Sequence, residues 1–183
     1  MFLTDAFDTP ALRVVEGHSI DSYKNWSGHN IERTNWEFLH EHNKVRRKNG
    51  EPLLTWDRTL ARYARRWAAK RVANCDMVHS NGPYGENVYW GSDYTRHSAA
   101  DAVRAWAGET RHFNAHSNSC APNQLCGHYT QIVWASSKRI GCARVKCNNG
   151  GVYIMCSYDP RGNIIDVNPF DVTMQFPFTP LFG

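Results

Sequence analysis

The sequence predicts an α+β domain in which helices pack on an antiparallel sheet, and three observations carry that prediction. Helical periodicity dominates the first half of the chain. Strand-like runs separated by turn residues dominate the second. At 183 residues, with 42% hydrophobic and 21% charged, the chain suits one core of ordinary size and is too apolar for a wholly disordered polymer. A large multidomain organisation is excluded.

Taken in order, residues 1 to about 30 keep no sustained period and include the turn formers Gly17, Ser27 and Gly28, so they read as a loosely held extension. The first clear helix follows at Thr34-Asn35-Trp36-Glu37, whose spacing is that of a capping box. Trp36, Leu39, Asn43 and Arg46 then share one stripe. An amide and a guanidinium in line with buried side chains need partners to offset their desolvation, so both are read as internal struts. From Trp56 to Asn74, Leu60, Ala64, Trp67, Ala68 and Val72 recur at helical spacing, with Arg58, Arg62, Arg65 and Lys70 largely off the stripe. A third helix opens on Ser98 and Asp101 as a cap, turns Ala99, Ala102, Val103 and Trp106 inward, and continues the inward face to Glu109. Gly127 to Trp134 makes a short helix. Arg139 to Cys147 and Val152 to Tyr158 have strand composition around Asn148-Asn149-Gly150-Gly151, which predicts a hairpin, and Gly85 to Tyr89 reads as a further short strand.

Lys and Arg number 21 against 17 Asp and Glu, a net charge of +4. This mild excess is no nucleic-acid signature, and no nucleic-acid partner is expected. The basic stretches Lys44 to Lys48 and Arg58 to Arg71 read as solvated helix faces, because no series of stacking aromatics accompanies them; the sharper alternative is contact with anionic membranes or cell walls. No apolar run approaches the roughly 20 residues of a membrane-crossing helix, and the mean hydropathy is -0.58.

Six cysteines stand at 75, 120, 126, 142, 147 and 156. Six allow about fifteen pairings, so the count fixes none. The spacings lack the CxxC pairs of a zinc site, which makes structural disulfides and an oxidising compartment the better account. The opening MFLTDAFDTP carries Asp5 and Asp8 where a secretory leader has a basic flank and an unbroken apolar segment, so it is not a convincing signal peptide. Export is inferred from the cysteines instead. One sequon, Asn25-Trp26-Ser27, is compatible with glycosylation.

Candidate chemistry is sparse. His79 and Glu86 flank the turn-rich HSNGPYGEN, Glu109 ends a helix, and His128 starts GHYTQIVW. By spacing alone the four are unconnected; brought together, two imidazoles and two carboxylates can bind a divalent metal or divide acid and base duties. There is no HExxH helix, GxSxG elbow or phosphate loop. Ser80 beside His79 is a poor nucleophile and base pair, since adjacent side chains seldom face each other.

Four segments in order, LHEHNKVR at 39 to 46, GENVYW at 85 to 90, GHYTQIVW at 127 to 134 and CSYDPRGN at 156 to 163, make the chain resemble the CAP superfamily, and within it the plant pathogenesis-related proteins of the first class. The similarity runs from about residue 33 to 170, which divides the chain into an extension at 1–30, a CAP domain at 31–170 and a tail at 171–183. The resemblance implies a three-layer α-β-α sandwich and the disulfides Cys75 to Cys147, Cys120 to Cys126 and Cys142 to Cys156. It gathers His79, Glu86, Glu109 and His128 into one cleft able to hold a divalent metal such as zinc, though none is required, with Ser80 and Gln131 in support. It also implies binding of a sterol or other lipid, with a pathogen membrane as a further partner, through the loop WAGETRHFNAHSNSC; there Trp106 and Phe113 are the aromatics and the intervening residues are polar and basic. In CSYDPRGNIIDVNPF it implies release of a signalling peptide, Pro160 to Phe170, by cleavage between Asp159 and Pro160. Ser157 departs from the usual asparagine, and the chain runs on past Phe170. The expectation is a secreted, apoplastic and monomeric defence protein that is not an enzyme of the usual kind, with a metal-dependent hydrolase as the alternative.

Overall fold

The computed structural model describes residues 19–171, with side chains from residue 30 onward. Residues 1–32 and 33–183 form separate compact units. Apart from the start of the first helix, the elements below belong to the second unit.

Helix α1 runs Ser19–Lys48, so Thr34 and Glu37 lie inside it and do not cap its start. Between Ile20 and Thr34 the chain has no proline, and a lone glycine such as Gly28 costs a helix only about 1 kcal/mol. Polar composition alone does not end a helix, and from Ser19 onward the predicted loose extension is helical. Residues 1–18 and 172–183 lie outside the described residues.

The buried face of α1 also differs from the predicted stripe. Trp36 is 62% exposed and stacks on the His40 ring at 4.5 Å. Phe38, His42 and Arg46 are the fully buried positions, with Leu39 and Val45 packed beside them. Their i, i+4, i+8 spacing is as helical as the predicted one, but it includes a histidine that looked polar in the sequence. The two struts are as expected. Arg46 donates from Nε to the Pro52 carbonyl at 2.5 Å, from Nη1 to those of Ile132 and Trp134 at 2.9 and 2.8 Å, and from Nη2 to Ser137 at 3.2 Å. Asn43 exchanges two bonds with the Leu54 backbone, at 3.0 and 2.8 Å.

A two-residue strand β1, Thr55–Trp56, precedes α2, Arg58–Ala69. Trp56 therefore lies before the helix, which Asp57 caps by accepting from the amides of Thr59 and Leu60 at 2.6 and 3.0 Å. The helix ends short of the predicted Asn74, and a turn leads to Cys75 in the left-handed region at φ 62°. Leu60, Ala64 and Ala68 are buried as predicted, whereas Trp67 and Val72 are only partly so. Strand β2, Gly85–Gly91, follows, then α3, Ala99–Ala107, opened by the predicted Ser98 and Asp101 capping box. Glu109 sits in a 3-10 turn, Gly108–His112, beyond which β3, Phe113–Asn114, pairs with β4, Ser119–Cys120. Helix α4 is Gly127–Ile132, and the predicted hairpin is β5, Arg139–Lys146, with β6, Val152–Asp159.

The main sheet has the order β1-β5-β6-β2. Its three long strands are antiparallel, as expected, and only the short β1 pairs in parallel with β5. Residues 152 to 158 of β6 are buried throughout, and period-2 alternation divides them between two cores. Val152, Ile154, Cys156 and Tyr158 face Phe38, Val103, Trp106 and Ile132; Tyr153 and Met155 face Ala64 and Ala68. The sheet is thus held between α2 and the layer of α1, α3 and α4, the three-layer sandwich the resemblance implied. All three expected disulfides form, and no cysteine is free. Among the described residues no helix is long and apolar enough to cross a membrane.

Candidate functional site

The site lies where β2 meets α4 and the chain that leaves β6. At the start of β2, Glu86 accepts from the Ser80 amide at 2.8 Å, from the Ser80 hydroxyl, and at 3.2 Å from Nδ1 of His79. The turn from His79 to Gly82 makes this possible through Asn81, which adopts φ 56°, a conformation asparagine tolerates better than most residues. Burial by itself would raise the Glu86 carboxyl. The donors from His79 and Ser80 outweigh it and hold the group below the ordinary carboxylate value. With the Ser80 hydroxyl given to Glu86, the Tyr63 hydroxyl, 2.5 Å away, donates to the Ser80 oxygen, and so does the Gly82 amide at 3.1 Å.

The second pair forms at the N-terminus of α4. Glu109 accepts from Nδ1 of His128 at 2.6 Å and from the amides of His128 and Tyr129 at 2.9 and 3.2 Å. Its carboxylate satisfies amides that a helix start leaves without partners. Burial again pushes the carboxyl up, and the bonds from His128 and the two amides bring it below its ordinary value. The His128 ring stacks over Trp106 with centroids 6.1 Å apart.

The four residues that the sequence left unconnected therefore come as two histidine and glutamate pairs. Asn87, next to Glu86, donates to the His128 carbonyl at 2.9 Å, which sets both pairs at one junction of β2 and α4. Among the described residues no group of three or more histidine, cysteine or carboxylate side chains is placed to hold a metal ion. As placed, the two pairs do not assemble a zinc site of three or more protein ligands, but each Nδ1 bond to a glutamate leaves Nε2 free, the orientation that zinc-bound histidines commonly take.

A cleft of about 200 Å³ opens beside the first pair, lined by His79, Glu86, Tyr84 and Gln131 and by Arg161, Gly162 and Asn163 from the segment after β6. That is smaller than the roughly 300–1,000 Å³ of most small-molecule pockets. Gln131, 1% exposed, accepts from the Gly162 amide at 3.0 Å and donates to Ser137 Oγ at 3.3 Å. A Cβ on Gly85 would stand 2.2 Å from the Gln131 oxygen, and one on Gly162 2.7 Å from its nitrogen. The two glycines thus let strand and segment close on the amide from both sides.

Other predicted residues serve elsewhere. Trp106 belongs to α3 and to the core, 2% exposed, and its indole N–H donates to the Val88 carbonyl at 3.0 Å. Phe113, partly buried, packs between Tyr129 and Phe170, with centroids at 6.0 and 6.5 Å. Asp159 ends β6, pairs with Arg139, and is joined to Pro160 by a cis peptide bond.

Several contributors were not singled out from the sequence. Tyr63 was one more aromatic of an amphipathic helix, and nothing local links it to Ser80. Arg161 and Asn163 were expected only as part of the peptide from Pro160 to Phe170, not as a wall of the cleft. His42, Tyr158 and Asn87 form a buried relay behind the cleft that no spacing reveals.

The comparisons with known proteins agree with this architecture. The cysteine-rich secretory protein family, CAP, matches residues 39–158. The chain is 49% identical over 135 residues to pathogenesis-related protein 1C of Nicotiana tabacum, covering 73% of this chain and 79% of the relative. It is 49% identical over 140 residues to pathogenesis-related protein 1A1 of Solanum lycopersicum, covering 76% and 79%, and 46% identical over 134 residues to pathogenesis-related protein 1 of Arabidopsis thaliana, covering 73% and 81%. Among solved structures, NaASP2 with Zn2+ superposes with a TM-score of 0.61 at 22% identity, covering 74% of this chain and 84% of that one. Schistosoma mansoni venom allergen-like protein 4 does so with 0.60 at 23%, covering 75% and 94%. At these identities the structural likeness is one of fold.

Proposed function

Because the chain belongs to the CAP family of cysteine-rich secretory proteins, we propose that it is a secreted pathogenesis-related defence protein that acts by binding and not by turnover. The supporting observation is the state of the two paired glutamates, of which Glu86 lines the cleft. Each glutamate accepts from a histidine, Glu86 also from one backbone amide and Glu109 from two, and each is more acidic than usual, which makes them poor proton acceptors. Ser80 gives its hydroxyl to Glu86 directly, without an imidazole placed to take its proton. Fixed donors and acceptors of this kind suit the recognition of a polar group. Three disulfides support an oxidising, extracellular setting.

The ligand assigned to this site is a sterol or another lipid whose polar end enters the cleft, while its apolar body, too large for about 200 Å³, lies along the surface. Titration with a labelled sterol tests this: saturable binding is expected, weakened by His79→Ala. Absence of saturable binding to the unaltered chain would sink the lipid reading. The hydrolase alternative at His79, Glu86, Glu109 and His128 calls for metal analysis and a peptide and ester screen, and an activity indifferent to chelation would end it. Release of the segment from Pro160 to Phe170 is proposed as a separate function and is examined by proteolysis below.

A further inference from the structure

Helix α2 and its following turn carry Arg58, Arg62, Arg65, Arg66, Lys70 and Arg71, with no acid among residues 58 to 75, and these six cations exceed the whole net charge of +4. Arg58, Arg62, Arg66 and Lys70 succeed one another at i, i+4 along one side of the helix, and with Arg65 all are exposed. Like charges at that spacing weaken a helix. Basic helix faces usually offset the repulsion with acids one turn away, yet among the described residues none of these five enters an ion pair. The opposite side of α2 is fully used against the sheet, so the cationic side is neither packing surface nor part of a salt-bridge network.

A second observation lies beside it. At 100° per residue, Lys70 stands between the arginines and Trp67 around the helix. Lys70 Nζ lies 5.5 Å and the Arg71 guanidinium 4.9 Å from the Trp67 ring centroid. The Trp67 indole N–H donates to the Val78 carbonyl at 2.9 Å, the Tyr153 hydroxyl donates to the same oxygen at 2.9 Å, and the Cys75–Cys147 disulfide fixes the chain three residues earlier. On this pinned backbone Met77 and Val78 remain 53% and 42% exposed. A firmly held apolar pair with no partner, next to a line of unpaired cations, is the composition of a surface that meets lipid headgroups and presses a small apolar step between them.

We infer that α2 and the Met77–Val78 turn form a docking surface for a bilayer bearing anionic lipids, separate from the cleft. Trp67, already visible within the basic stretch of the sequence, joins this surface through contacts that only the folded turn creates. The apolar step decides for a membrane over a linear acidic polysaccharide, since a polysaccharide needs the cations and not Met77 or Val78.

The test is co-sedimentation of the full chain with sterol-free vesicles of phosphatidylcholine alone and of phosphatidylcholine mixed with phosphatidylserine; leaving out sterol keeps the outcome independent of the lipid proposed for the cleft. Binding is expected only to the mixed vesicles and is expected to fall with salt. With near-ultraviolet circular dichroism unchanged, Arg62→Gln, Arg65→Gln and Arg66→Gln combined should weaken it about a hundredfold, and Met77→Ser with Val78→Ser about fivefold. Equal binding to both vesicles, or no effect of the arginine changes, would overturn the inference. So would unaltered binding of the Met77 and Val78 variant together with displacement by soluble polygalacturonate, which would mark the surface as a polysaccharide site.

Discussion

The Tyr158 hydroxyl donates to Nε2 of His42 across 2.7 Å, and both side chains are fully buried. The direction is fixed by the other ring nitrogen: Nδ1 lies 2.7 Å from the Phe38 carbonyl, which can only accept, so Nδ1 carries the proton of a neutral imidazole. The Tyr158 oxygen in turn accepts from Asn87 at 3.1 Å, and the same amide nitrogen reaches the His128 carbonyl at 2.9 Å. α1, β6, β2 and α4 are thereby joined behind the cleft by one line of donors. Tyr158→Phe leaves two buried groups unsatisfied at once, and urea unfolding should record a loss of about 2–4 kcal/mol. A loss no larger than that of Tyr84→Phe, at a tyrosine only partly buried, would show the relay to be energetically idle.

The same histidine gives the stability an acid limb. Burial lowers the His42 pKa to about 4 from 6.5, opposed by the Phe38 carbonyl and reinforced by the charge of Arg46. Below pH 6.5 the unfolded chain takes up a proton that the folded one refuses until about pH 4, so stability falls as pH drops through this window, by about 3 kcal/mol in all. Glu86 and Glu109 act further down. Their folded values lie below those of the unfolded chain, so the stability they contribute is present above the unfolded value and lost as pH falls through the folded ones. Unfolding midpoints measured from pH 7 to 4 should decline, and His42→Gln should flatten the upper part of the decline. An unchanged slope in that variant would assign it to other groups.

Arg46 unites segments that the sheet does not. Its guanidinium, buried and lowered by desolvation to about 10, supplies the carbonyls of Pro52, Ile132, Trp134 and Ser137. Removing one member of so enclosed a set strands the others, and Arg46→Leu should cost about 3–5 kcal/mol. Arg46→Lys keeps the charge but cannot span four acceptors with one ammonium group, so most of the loss should remain. Full recovery by lysine in denaturant titration would show that charge and not geometry matters here.

Arg46 and Asn43 were legible in the sequence because a polar residue on an apolar stripe must find partners, and the helix around Ser98 was legible because a cap is a local device. The face of α1 was not. Phe38, His42 and Arg46 obey the same period as the expected stripe through Trp36, and only the carbonyl of Phe38 and the hydroxyl of Tyr158, 116 residues from His42, make a buried histidine acceptable. The pairing of His79 with Glu86 spans a single turn-rich passage, but Glu109 meets His128 only once α3 and α4 are packed. Their proximity was implied by family resemblance, and the structure resolves it into two separate hydrogen-bonded pairs.

The segment after β6 bears on both proposed functions, because the residues that would leave as a peptide also wall the cleft. Ser137 donates to the Pro160 carbonyl at 2.8 Å, Gly162 donates to Gln131, Asn163 donates to the Gly127 carbonyl at 2.8 Å and accepts from Thr130 at 2.7 Å, and Ala135 donates to the Pro169 carbonyl at 2.7 Å. Phe170 packs on Phe113. A protease needs several residues in extended form, so scission after Asp159 requires this segment to open first. Mass spectrometry after digestion with an acid-directed protease should find the Asp159–Pro160 bond intact while the fold holds. Gln131→Leu, which strands the Gly162 amide and removes the brace of Ser137, should raise the cleavage rate about tenfold. The cut protein should also lose the sterol affinity proposed for the cleft, since Arg161, Gly162 and Asn163 supply one of its walls. Rapid cutting of the unaltered chain with ligand affinity preserved would separate the two functions and place the binding site elsewhere.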